Sequence, residues 1–160
     1  MIVLGNGVFS IGTTDIALTR GGGQFVVERE YRDIEADGDK GPVKGRTVIN
    51  KSVPKLTMNA LSIIPADYGT YYPGITVTDD VSNTVITGSG DIQDADYQTV
   101  KWTGKTKEGK AVIITLNNAI NLENFDWNLA DKDEVIHALT YTGTYTEGSD
   151  VEPWNVDFVK

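Results

Sequence analysis

The chain has 160 residues, of which 39% are hydrophobic and 23% charged, a balance that fits one globular domain rather than a disordered chain. Acidic residues outnumber basic ones 23 to 14, for a formal net charge of -9, a sign that repels phosphate and argues against tight nucleic-acid binding. There is no cysteine, which removes disulfides, thiolate catalysis and cysteine-based metal sites together.

Met1 to Thr19 carries Ile2, Val3, Leu4, Val8, Phe9 and Ile11 with little strand order of its own, and reads as a flexible arm. It lacks the early basic residues and long apolar core of a secretory signal, so the expectation is use without signal-dependent export. No apolar run approaches the roughly 20 residues of a membrane helix. Three glycines, Gly21 to Gly23, then precede a strand. They suit positive φ or the close approach of another backbone better than a phosphate cradle, since no Gly-Lys-Ser/Thr and no helix follow.

Gln24 to Glu35 predicts a strand, with Phe25, Val27 and Tyr31 on one face and Val26 and Ile34 on the other. Ala36 to Gly45 (ADGDKGPVKG) has no apolar period and predicts a long loop. Thr47 to Ile64 runs extended, Leu56, Met58 and Ala60 sharing a face, with Pro54 marking an edge or a bend. Pro65 to Tyr72 is the one helix candidate, closed by Pro73-Gly74.

Short strands at Ile75 to Val77 and Thr84 to Thr87 precede a hairpin of Thr99 to Lys105 and Ala111 to Asn117, turning at Lys107 to Lys110. Ala119 to Leu129 and Glu134 to Tyr145 read as the last two strands, joined at Ala130 to Asp133. The fold class that follows is mainly β: a single-domain β-sandwich or open barrel over residues 1–160, with one short flanking α-helix.

Chemistry is sparse. His137 is the sole histidine and sits within an alternating apolar pattern, where a packed or interface role suits it better than a catalytic one. Asp37-Gly38-Asp39 opens like a calcium loop, but Val48 stands where the bidentate glutamate belongs, and Asp91, Asp94 and Asp96 are misspaced. Tyr68, Tyr71, Tyr72 and Trp102 make either a sugar-stacking platform or a packing face, the second being the commoner arrangement beside a sandwich. The expectation is no catalytic residue, no cofactor and no metal, and so no enzyme.

The segment 1–19, the loop 36–45 and the segment 147–160, with Trp154 in an apolar-polar alternation, are costly for a lone monomer. Such extensions suit a β subunit that joins its edges to neighbours. Phe9, Trp154 and the loop residues Asp37, Asp39, Lys40, Pro42, Val43 and Lys44 are the candidate contacts.

Thr19 to Arg32 (TRGGGQFVVEREYR), Glu35 to Gly38 leading to Gly41 to Gly45, Pro54 to Asn59 (PKLTMN) and Glu152-Pro153-Trp154 resemble the tail tube, or major tail, proteins of siphophages and prophages. The resemblance implies a tail-tube-like sandwich in hexameric rings, stacked into a hollow tube in the virion, through which DNA passes to the host. It implies synthesis in the bacterial host cytoplasm. It also implies as partners the chain itself, a tape measure protein and tail terminator or tip proteins, with no membrane. The loop 36–45 would reach the adjacent ring and the two end segments would bridge subunits. Glu28 and Glu30, with nearby carboxylates, are then candidates for a lumen face that repels passing DNA, although Arg29 and Arg32, interleaved with those acids, equally suit ion pairs between subunits. A monomeric carbohydrate-binding sandwich, or another phage structural part such as a tube-terminating or head decoration protein, are the competing readings.

Overall fold

A computed structural model describes residues 1–16 and 18–160. Among these residues ten strands form: β1 (Val3–Ile11), β2 (Thr14–Asp15), β3 (Thr19–Asp33), β4 (Thr47–Ala60), β5 (Ile75–Asp79), β6 (Thr84–Gly88), β7 (Gln98–Thr106), β8 (Ala111–Asn121), β9 (His137–Gly143) and β10 (Trp154–Phe158). One helix, α1 (Tyr68–Tyr71), continues a 3-10 turn at Pro65–Asp67. Proline starts that turn because its missing N–H would be unpaired there anyway. The expected mainly β sandwich is what forms.

Strand order in the main sheet is β2-β1-β7-β8-β9-β4-β3, with β10 also on β8 and every pairing antiparallel. β5 and β6 make a separate hairpin. The two layers part along β8. Its first half, Val112 to Leu116, pairs with β10, and its last residues, Ala119 to Asn121, pair with β9. Between them β8 bulges against β7, where Val100 faces Leu116 but Gln98 faces Ala119, and Asn118 takes a left-handed φ of 47°. Asparagine tolerates that conformation better than other side chains, and a bulge bends a strand. The carbonyl of Asn118 accepts from the amide and hydroxyl of Thr144, at 3.1 and 2.6 Å, which fixes the corner.

Alternation along β4, β7 and β9 fills much of the core. Leu56 and Met58 from β4, Val100 from β7, Leu116 from β8 and Leu139 and Tyr141 from β9 are all essentially inaccessible. Each such side chain contributes about 1.5–3 kcal/mol of burial relative to exposure. Tyr68, Tyr71 and Tyr72 cap one end of this core, and Trp102 is buried beside Phe9 and Ile114. These aromatics are packing, not an open platform.

The three glycines fall inside β3 instead of before it, and serve both expected purposes. Gly21 and Gly22 have φ of 83° and 74° inside an irregularity of the β3–β4 ladder between Thr19 and Gly23. A Cβ on Gly23 would stand 2.5 Å from both the Phe9 ring and the Thr57 carbonyl. Glycine is therefore what lets β3 close over β1.

Three expectations need correction. Residues 1–19 are not a loose arm over their described length: Val3 to Ile11 pairs with β7, and Phe9, Ile11 and Ile16 are buried. The pattern misled because Gly5 and Gly7 interrupt it, and Gly7 is there because the Trp102 ring lies 2.6 Å from where its Cβ would be. Residues 119–129 are not a strand of their own; β8 ends at Asn121 and the chain from 122 to 136 is irregular. The segment 147–160 is likewise docked, Trp154 to Phe158 forming β10 on β8 of the same chain.

Candidate assembly interface

β4 is paired with β9 only from Lys55 to Ala60, while its ladder with β3 continues to Asp33 and Thr47. The outer part of the β3–β4 hairpin therefore runs past the β9 ladder for seven pairs, roughly 20 Å at strand rise, with neither edge of that part bonded to another strand. Unpaired strand edges are templates for a further strand. Beyond the hairpin, β3 and β10 each have one partner only, so their outer sides are open as well.

Two contacts hold the base of the hairpin to the body. The Arg29 guanidinium meets both carboxylate oxygens of Glu152, and the Tyr145 hydroxyl donates to the Ser52 carbonyl at 3.1 Å. Partial burial works against ionisation of Glu152, but hydrogen bonds from the Trp154 indole and from Arg29 prevail and hold its carboxyl below the usual range. Arg29 is correspondingly held above its ordinary value by Glu152. Arg29 is thus paired within its own chain, which removes it as an ion-pair donor to a neighbour.

Tyr31 and Ile49 face each other further out on the hairpin, 61% and 50% exposed. They share the face that, nearer the body, carries Phe25 and Leu56 into the core. Below them an open groove of about 660 Å³ runs between Ile49, Ser52, Tyr145 and Glu152. An apolar face that continues a core face beyond the end of the core has no partner in its own chain.

The other face of the hairpin holds Glu28 and Glu30. It is not the acidic stripe expected, because strand parity puts Lys51, Lys55 and Arg32 on the same side. Lys55 reaches Glu28 at 2.8 Å, and Asn50 donates to Glu30. On this face the two acids stand beside three bases.

The loop residues Asp37, Lys40, Pro42, Val43 and Lys44 are exposed at the tip. Asp39 is engaged within the loop, accepting from the Ala36 amide and from Arg46, both at 2.8 Å. The loop is therefore a built tip rather than a slack connection. Phe9 and Trp154 stand elsewhere. Phe9 is 5% exposed in the core, closed over by Gly23, which corrects its assignment as an outward contact. Trp154 is half-buried against Phe25, with ring centroids 5.6 Å apart.

At the opposite end of the molecule the irregular segment 122–136 crosses α1. Phe125 and Trp127 pack edge-on or tilted against Tyr68, with centroids 5.8 and 6.1 Å away, and Trp127 also meets His137. The Tyr68 hydroxyl and His137 Nε2 are 3.2 Å apart, and burial pushes the imidazole pKa down. Tyr72 is pushed up to about 12, by burial first and then by Tyr68, Glu123 and Asp126 nearby. His137 is a packed residue under an aromatic strap. No local pattern marks that strap, because an extended run without a ladder looks like a strand.

No family model and no curated protein matches the chain. In solved structures its fold is similar to the anti-feeding prophage cap, a tube terminating cap determined by cryo-electron microscopy. Identity is 11%, the TM-score 0.56, and the match covers 99% of this chain and 92% of that one. The two share a fold. At that identity the likeness concerns architecture and carries no residue-level role across.

Proposed function

We propose that this chain is a structural subunit of a phage tail or tail-like tube, joined to copies of itself through the projecting β3–β4 hairpin. The observation that carries the reading is the hairpin: both edges open, the apolar pair Tyr31 and Ile49 exposed on one face, and a built tip beyond them. The fold shared with a tube terminating cap supports the same class of assembly. The heterologous contact such a hairpin makes generates a ring when the rotation closes. In this reading six copies close into a ring, the rings stack into a hollow tube in the virion, and DNA passes through the lumen. Tape measure and tip proteins are its neighbours, and it catalyses nothing.

Glu28 and Glu30 remain the candidate lumen residues, on a face they share with Lys51, Lys55 and Arg32.

A second reading is favoured by the neighbour itself: a subunit that ends a tube instead of lengthening it. Electron microscopy of the concentrated protein, beside light scattering, tests both. Hollow filaments of uniform width support the tube subunit. Closed rings that do not lengthen with concentration support the terminating role. A monomer at every concentration, alone and with tail extracts, overturns both.

A further inference from the structure

The remaining charges are sorted by position. β7 and β8 run between two ends of the molecule, about 25 Å apart along β7 at strand rise. At one end lie α1 and the strap, with Leu122, Phe125, Trp127, Leu129 and Ile136 between 38% and 79% exposed. Interleaved with them are Glu123, Asp126, Asp131 and Asp133, all exposed, with Lys132 the one base among them. From Leu56 to Val100 the chain adds six further acids and no base.

At the other end the β7–β8 turn presents Lys105, Lys107 and Lys110. Around that turn lie Ile2 to Leu4, held by the Lys107 amide on the Ile2 carbonyl, and Phe158 and Val159, held by the Val159 amide on the Ala111 carbonyl. These apolar side chains are between 39% and 57% exposed. Among the described residues one ion pair sits on the strap, Arg20 with Glu134, and the others are on Arg29, Arg46 and Lys55; none of the three turn lysines, and none of the strap acids Glu123, Asp126, Asp131 and Asp133, has an ion-pair partner within 4 Å.

We propose that the acidic aromatic end of one copy receives the basic apolar end of the next copy of this chain. This rests on the assembly reading and adds which surfaces meet. Each end is an exposed apolar patch ringed mainly by charge of one sign, with Lys132 the exception at the acidic end and Glu108 at the basic one. Two like ends repel, so a symmetric pairing is disfavoured, while unlike ends attract at long range and exclude water from the aromatics on contact. The contact is head to tail, which gives an assembly a direction. Trp127 and Phe125 are its apolar anchors. Charges outside a close contact are screened by salt, so the contact weakens as ionic strength rises.

Charge reversal tests this. The basic-end variant Lys105→Glu/Lys107→Glu/Lys110→Glu and the acidic-end variant Glu123→Lys/Asp126→Lys/Asp133→Lys are compared with the unaltered protein by sedimentation velocity. Circular dichroism and melting confirm that each is folded, and the single changes Lys107→Glu and Asp126→Lys replace either triple variant that is not. Expected are a loss of association of about tenfold or more for each triple variant alone, recovery when the two are mixed in equal amounts, and weakening of the unaltered protein from low to high salt. Association unchanged by either reversal, or no recovery on mixing, overturns the head-to-tail contact while leaving the assembly reading intact. An unaltered protein that never associates overturns both.

Discussion

Arg29 and Glu152 join the base of the β3–β4 hairpin to the chain just before β10, with Arg29 Nη2 at 3.2 and 3.1 Å from the two carboxylate oxygens. The same carboxylate accepts from the Trp154 indole. One group thus ties the projecting element to the strand whose tryptophan packs on Phe25.

Replacing Glu152 with Gln is expected to loosen the hairpin without unfolding the body. Hydrogen exchange checks this: amides of Glu28 to Arg32 should exchange faster, while those of Leu116 and Leu139 keep their protection. The effect should grow as pH is lowered in the unaltered protein. The folded Glu152 pKa is depressed, so its contribution is complete above the ordinary glutamate value and is lost as pH falls through the depressed one.

Gly23→Ala is expected to destabilise the fold by about 1–3 kcal/mol, the usual range for overpacking. The added methyl meets the Phe9 ring and the Thr57 carbonyl, both at 2.5 Å. Denaturant unfolding measures it. Combining the change with Phe9→Leu should recover only part of the loss, because the Thr57 contact is with backbone and stays.

His137 gives the fold an acid-side slope. Its folded pKa lies below the ordinary histidine value of 6.5, so below 6.5 the unfolded chain binds a proton that the folded chain does not. Stability is complete above that value and declines as pH drops toward the folded one. His137→Gln should flatten the slope of melting temperature against pH in that window, whatever it does to the absolute midpoint.

Tyr31→Ser with Ile49→Ser is expected to leave the melting midpoint nearly unchanged and to suppress self-association. Both side chains are at least half exposed in the single chain, so they stabilise little within it. Light scattering at matched concentrations reads the outcome. Undiminished association would remove the hairpin face from the interface.

What was legible in the sequence was whatever a local pattern dictates. Leu56, Met58 and Ala60 alternate, and they are buried as that alternation requires. Pro65 and the Pro73-Gly74 stop bracket the one α-helix among the described residues. The Lys107 to Lys110 turn sits in its hairpin. Illegible were pairings between distant segments. Val3 to Ile11 is a strand because β7 lies beside it, and its Gly7 follows from a tryptophan far along the chain. Phe125 and Trp127 keep a strand-like spacing, yet they cover α1 with no ladder.

The candidate site followed the same division. The loop Asp37 to Lys44 was visible as an excursion, whereas the partners of Asp39, Arg29 and Glu28 depend on registers that no local pattern encodes. Phe9 was placed outside because a lone apolar segment gives no sign of what will cover it.

The pairing of β1 with β7 also sets a timetable. On a ribosome the β3–β4 hairpin can close as soon as it emerges, but Phe9 must wait for Trp102, roughly 90 residues later. At 5–20 residues per second that is roughly 5–20 s with a sticky strand unclaimed. Contacts so distant in sequence are slow to form even in the finished chain. The hazardous moment for this protein therefore comes before it is complete, and crowded synthesis of many identical copies is where misassembly would begin.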